Sequence, residues 1–142
     1  MSWRASPSGT VDRDRSEDAG ALITRRLPIS TDAPAIAREA LAHLSDDLTT
    51  TLLRDAQLLV SELVTHQLRR LPAGHEGPLR LEVVLRRTGV RVEVTGDHGS
   101  ASPPIDSEEP AIGWELQVVA QIADRWGIRR DDLTTIWFEL ES

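Results

Sequence analysis

Five side chains are candidates for binding a metal ion. Glu62 and His66 lie on one predicted helix, and the other three are His43, His75 and His98. Glu62 and His66 are four residues apart, which places them on the same face of a helix. The histidines lack the close i, i+4 pair that zinc hydrolases use. The spacing therefore favours an ordinary polar pair on an amphipathic helix over a metal site.

A second candidate is the segment Asp97-His98-Gly99. An Asp before a Gly in a loop is usually a turn residue, and the pattern alone has little specificity. It directly follows a predicted strand, however, which makes Asp97 a candidate binding residue. Trp114 lies where a loop is predicted to meet a helix, so it is a candidate to cover a pocket there, whereas Trp126 and Trp137 are predicted to serve the core.

Composition limits the class of protein. The chain has 142 residues, 39% of them hydrophobic, no cysteine and a net charge of −7. No apolar run reaches the roughly 18 residues of a membrane helix, and the first residues lack the apolar stretch of a secretory signal. The negative charge disfavours nonspecific attraction to DNA. We therefore expect a cytoplasmic domain that binds neither DNA directly nor a membrane.

The first 22 residues are rich in Ser, Asp, Arg and Gly. They have too few apolar side chains to offset the entropy lost on ordering. We predict a disordered tail over residues 1–22 and one domain over residues 23–142, opening with a short edge strand between Leu22 and Ile29.

Two amphipathic helices are predicted next. The first follows a cap at Thr31 or Asp32 and runs to about Leu44. The second covers residues 47–71, where apolar residues recur at steps of three and four, and it ends before Pro72.

Alternating apolar residues over 79–85 and 90–94 predict an antiparallel hairpin with a turn at Thr88-Gly89. Residues 96–111 contain three prolines and predict a long loop. A third helix is predicted from Ile112 to Trp126 with Gly127 as its cap, followed by a strand over 133–140. This order predicts an α/β fold, a two-layer sandwich of a mixed, mostly antiparallel sheet with helices on one face.

Three segments together resemble a known family. LLVSELVTHQLRR at 58–70 resembles the LLVSELVTNAVRH signature of histidine-kinase-like ATPase domains, in the branch of anti-sigma-factor serine switch kinases. VRVEVTGDHGSASPP at 90–104 resembles the strand that ends in D-x-G-x-G, and residues 118–140 resemble the closing helix and KTVWFEL strand. The resemblance covers residues 24–140 and implies the Bergerat-type ATP-binding fold.

The resemblance implies roles for the long helix. In the family, a Glu acts as general base and an Asn one turn later binds Mg²⁺ on the phosphates of ATP. Glu62 matches the Glu, but His66 replaces the Asn, and the sequence contains no Asn elsewhere. Imidazole nitrogen is a poor ligand for Mg²⁺. The resemblance therefore implies a helix that has lost its magnesium ligand.

The resemblance also implies an adenine site and a phosphate-binding turn. Asp97 and Gly99 match the residues that contact adenine, while Ala101 replaces the second glycine. Gly113 matches the first residue of the G-x-G-L turn, but Glu115 replaces its second glycine. A carboxylate about 5 Å from a phosphate charge costs about 3 kcal/mol at an effective dielectric near 20. Binding of ATP and Mg²⁺ is therefore expected to be impaired.

We expect a regulatory protein-binding domain of the anti-sigma-factor type with a degenerate ATP site, and not an enzyme. Its partner would be a sigma factor or an anti-anti-sigma-like protein, with a homodimer as a further option. The alternative is an active ATP-dependent serine/threonine protein kinase that phosphorylates an anti-anti-sigma partner, with Glu62 as base. A third class is a dimerisation or scaffold module without a pocket.

Overall fold

The computed structural model describes residues 19–71, 77–96 and 116–141. No helix within these ranges has the length and apolar character needed to cross a membrane. The elements in chain order are β1 (Ala19–Leu27), α1 (Ala33–Ala42), α2 (Thr50–Arg70), β2 (Leu79–Arg86), β3 (Gly89–Gly96), α3 (Gln117–Ile122), β4 (Arg125–Arg130) and β5 (Thr134–Glu141).

The five strands form one open sheet in the order β1-β2-β3-β5-β4. Every strand pair among the described residues is antiparallel, so the parallel pairing of the predicted mixed sheet is absent from this part of the chain. The predicted edge strand, hairpin and closing strand are confirmed. The architecture is α/β and is compatible with a two-layer sandwich.

One face of the sheet is apolar and is covered by helices. Alternate residues of the central strands point to this face, and Val92 is paired with both Val83 and Phe138 across the sheet. All three side chains are buried. Helix α2 contacts β3 and β5 on this face, and α1 contacts β1 and α2. The apolar side chains that alternate along the strands therefore pack with those on one side of α2 in a single core.

The two long helices are held by polar contacts as well as by packing. Thr49 caps α2 by accepting a hydrogen bond from the Leu52 amide at 3.1 Å. On the outer side of the helix pair, Arg38 of α1 donates to the Ser61 hydroxyl at 2.8 Å. Gln57 of α2 donates to the Arg38 carbonyl at 2.9 Å. These contacts set α1 beside the middle of α2.

Three sequence predictions need correction. Strand β1 begins at Ala19, inside the predicted tail. Trp126 and Gly127 are not a helix end but belong to β4, because α3 ends at Ile122. A Cβ on Gly127 would lie 2.9 Å from the ring of Trp137, so this glycine makes room for the neighbouring strand's tryptophan rather than capping a helix.

The hairpin turn is also displaced by one residue from the prediction. It falls at Arg87 and Thr88, and Gly89 is the first residue of β3. A side chain at Gly89 would collide with the Leu140 carbonyl on β5. The glycine therefore permits close approach of two strands and does not form the turn.

The second face of the sheet is polar and carries an ion-pair network centred on Glu139 of β5. Its carboxylate accepts hydrogen bonds from Arg91 and Arg125, each at 2.7 Å. Arg91 also pairs with Glu93 at 2.9 Å and lies over the Trp137 ring, 4.1 Å from its centroid. Glu139 is only 7% exposed, because the arginine side chains lie across it.

Burial alone would raise the pKa of the Glu139 carboxyl, since it disfavours the charged form. The hydrogen bonds from Arg91 and Arg125 outweigh burial and hold this pKa below its ordinary value. A carboxyl with a lowered folded-state pKa stabilises the fold above its unfolded pKa, near 4.3, and loses that contribution as the pH falls through the folded pKa.

We therefore predict that Glu139→Gln lowers the free energy of unfolding by about 1 to 3 kcal/mol at pH 7, because charged hydrogen bonds are lost. The difference from the wild type should start to shrink below about pH 4.3, the unfolded value, and narrow further as the pH falls through the lowered folded-state pKa of Glu139. Denaturant titrations at pH 7 and pH 3 measure both values. Glu82→Gln is the matched control, since Glu82 lies on the same face with one longer ion pair, 3.5 Å from Arg80. An effect of Glu139→Gln that is independent of pH would contradict this account.

Candidate functional site

The C-terminal half of α2 is the part of the predicted site that the structure describes. The helix has 21 residues, and its buried stripe contacts the sheet. Glu62 is half-buried, whereas His66 is only 3% exposed. The two residues stand one turn apart on α2, as predicted. The position that the resemblance assigns to a magnesium ligand is therefore closed off from solvent.

Gln67, the neighbour of His66, joins the helix to the sheet. Its side chain is fully buried. The amide nitrogen donates to the Val94 carbonyl at 2.8 Å and to the Thr134 carbonyl at 2.9 Å. These carbonyls belong to the end of β3 and the start of β5, so one amide group fixes the helix above two adjacent strands.

The orientation of the Gln67 amide follows from its partners. Both partners are carbonyl oxygens, which only accept hydrogen bonds, so the NH₂ end must face them. The Oε1 atom is buried and has no hydrogen-bond partner among the described residues. Leaving that oxygen unpaired has a free-energy cost. The two donated bonds at the helix–sheet interface offset this cost in the folded state.

Sequence reasoning missed Gln67. The signal for it was a glutamine in the apolar stripe of α2, three residues after Val64 and four after Leu63, both buried. In the family signature this position holds alanine, and the chain departs from the signature at His66, Gln67, Leu68 and Arg70. The larger glutamine takes part in the packing of α2 on the sheet.

The other predicted site residues lie outside the described residues: Asp97, Gly99, Gly113 and Glu115, and also Ala101, Trp114, His75 and His98. The last described residue before Asp97 is Gly96, which ends β3 and pairs with Thr134. Strand β3 thus ends two residues beyond Val94, whose carbonyl Gln67 binds.

Metal binding finds no support among the described residues, where no group of three or more His, Asp or Glu side chains is placed to hold an ion. His43 ends α1, and its Nδ1 lies 3.3 Å from the Ala40 carbonyl, a local helix-end contact. For Mg²⁺, His66 offers nitrogen where an oxygen ligand is needed. The described half of the site therefore does not fit a magnesium–nucleotide complex.

Comparison of the chain with protein-family models and with curated proteins found no match. The resemblance to anti-sigma-factor switch kinases consequently depends on the three sequence segments alone.

We predict that Gln67→Glu destabilises the protein more than Gln67→Leu at pH 7. The leucine removes both hydrogen bonds that the Gln67 amide donates to strand carbonyls, a loss of about 1 to 3 kcal/mol. The glutamate would in addition place a buried negative charge against two carbonyl oxygens. Burial would raise the pKa of that carboxyl, so the gap between the variants should narrow as the pH falls toward 4. Denaturant titrations of both variants at pH 7 and pH 4 measure the gap.

Gln121→Glu is the control, since it makes the same change at an exposed position of α3 and should leave stability nearly unchanged. Equal stability of Gln67→Glu and Gln67→Leu at pH 7 would disprove the role given to the Gln67 amide.

Proposed function

We propose that the chain is a regulatory protein-binding domain of the anti-sigma-factor type whose nucleotide site is degenerate. The observation that carries the proposal is the burial of His66, next to Gln67, whose amide joins α2 to the sheet. The resemblance gives position 66 to the magnesium ligand. In this chain the position holds a buried imidazole instead of an oxygen donor.

The Gln67 side chain, next to this position, is part of the contact between α2 and the sheet. The Gln67 amide nitrogen is used by two strand carbonyls, and its oxygen is buried. Only Glu62, which is half-buried, retains the residue type that the resemblance assigns to the ATP-binding helix. Mg²⁺ requires near-octahedral oxygen coordination, and one carboxylate from this helix is a weak basis for it.

The proposed partner is a sigma factor or an anti-anti-sigma-like protein, with regulation through binding and without phosphoryl transfer. The rival function is an active serine kinase with Glu62 as general base, and it requires bound Mg²⁺–ATP. Titration of purified sigma factors and anti-anti-sigma proteins from the same genome, with and without ATP, tests the partner. Binding that is unchanged by ATP is expected.

We predict that isothermal titration with millimolar Mg²⁺–ATP gives little heat. The loss of an oxygen ligand at His66 and the carboxylate of Glu115 both weaken the site, the latter by up to roughly a hundredfold in affinity. A dissociation constant in the low micromolar range would refute the degenerate site and restore the kinase as the function.

The variant His66→Asn with Glu115→Gly should recover measurable ATP binding, because it restores an oxygen ligand and removes a repulsive charge. Each single change should recover less, and a double-mutant cycle measures their coupling. Adding Asp97→Ala should abolish the recovered binding, since adenine loses its acceptor. A double variant that is folded by circular dichroism but binds no ATP would show that more than these two residues blocks the nucleotide, leaving protein binding alone.

A further inference from the structure

A cleft of about 430 Å³ lies on the polar face of the sheet, away from the face that α2 covers. It is lined by Thr24, Arg26, Pro78, Arg80, Thr95, Gly96 and Leu133. The β1, β2 and β3 residues among them come from one end of these strands. The sequence features discussed above assign nothing to this cleft, and it does not include the helix residues of the candidate nucleotide site.

The cleft contains two like charges on neighbouring strands. Arg26 of β1 is paired directly with Arg80 of β2, and Arg80 is paired in turn with Thr95 of β3. Like charges at directly opposed positions destabilise a sheet. Thr95 is hydrogen-bonded to Thr135 at 2.9 Å. The cross-strand row formed by Arg26, Arg80, Thr95 and Thr135 contains no acidic side chain.

Neutralisation of these arginines is incomplete. Arg80 approaches one carboxylate, that of Glu82, at 3.5 Å. Arg26 has no ion-pair partner among the described residues. Elsewhere on the same face, Arg91 and Arg125 contact Glu139 at 2.7 Å. Among the described residues, the Arg26–Arg80 corner therefore has fewer and longer ion pairs than the Arg91–Arg125 end of this face, in a chain whose net charge is −7.

We propose that this cleft binds a phosphate monoester of small-molecule size. Two guanidinium groups present planar pairs of donors that match phosphate oxygens, and the hydroxyls of Thr24 and Thr95 add neutral donors. The volume lies within the range of small-molecule sites and exceeds what a bare phosphate ion fills, so the organic part of the ester contacts Pro78 and Leu133. A dianion between Arg26 and Arg80 removes their mutual repulsion.

The test is titration of the full chain, without Mg²⁺, with O-phosphoserine, ribose 5-phosphate and inorganic phosphate, followed by calorimetry and by amide shifts in nuclear magnetic resonance. Both esters should bind with dissociation constants of roughly 0.1 to 1 mM, and inorganic phosphate about tenfold more weakly. The two esters separate an amino-acid source of the phosphate from a sugar source. Shifts should concentrate at Thr24, Arg26, Arg80 and Thr95.

Arg26→Gln and Arg80→Gln should each weaken ester binding about tenfold, because each removes a charged donor. Arg129→Gln is the matched control: Arg129 lies on the same face, and its side chain is 49% exposed against 58% for Arg80. It should leave the affinity within about twofold.

Three results would overturn the proposal. The first is that neither ester binds at a concentration of about 10 mM, tenfold above the upper expected dissociation constant. The others are an affinity for inorganic phosphate equal to that for the esters, or a loss of ester affinity in Arg129→Gln equal to that in Arg26→Gln and Arg80→Gln. The last would indicate attraction to the whole face and not a site. None of these results depends on whether the helix-side site binds Mg²⁺–ATP, so the two proposals fail separately.

Discussion

The packing of α2 on β3 and β5 is the contact that the rest of the structure depends on. Helix α2, of 21 residues, brings its apolar stripe onto the central strands, and α1 and α3 in turn contact α2. Apolar packing does not depend on direction, whereas a hydrogen bond does. The Gln67 amide must reach two carbonyls at once, which restricts its position. The amide therefore fixes where the C-terminal half of α2 lies over the strand ends.

This requirement has a consequence for the nucleotide site. A side chain that is fully buried to hold the helix cannot also move to serve a ligand. His66, the residue before Gln67, is also buried, at 3% exposed. The resemblance assigns this position to a magnesium ligand, and here it holds a buried imidazole next to the glutamine that joins the helix to the sheet.

The polar face of the sheet meets a different requirement. Because the described helices lie on the other side, this side must be compatible with water while the strands stay paired. Where β3, β5 and β4 lie side by side, ion pairs of Glu139 with Arg91 and Arg125 make this face compatible with water. The Arg91 guanidinium also covers Trp137, the one large aromatic ring described on this face. At the β1–β2 corner the described residues supply one carboxylate, that of Glu82, to Arg80 and no ion pair to Arg26, and this is where the anionic ligand is proposed to bind.

The sequence by itself determined the elements whose signals are local. The stripe of α2 and the alternation in β2, β3 and β5 specify helix and strands, because three- or four-residue and two-residue periods are properties of short segments. The tertiary structure decided the remainder. Trp126 and Gly127 continue a helical pattern in sequence, yet they form β4, since pairing with β5 and room for the Trp137 ring outweigh local preference. Gln67 contacts carbonyls 27 and 67 residues away, and Glu139 binds an arginine 48 residues away. Contacts over such separations exist only after the chain has folded, so no local pattern encodes them.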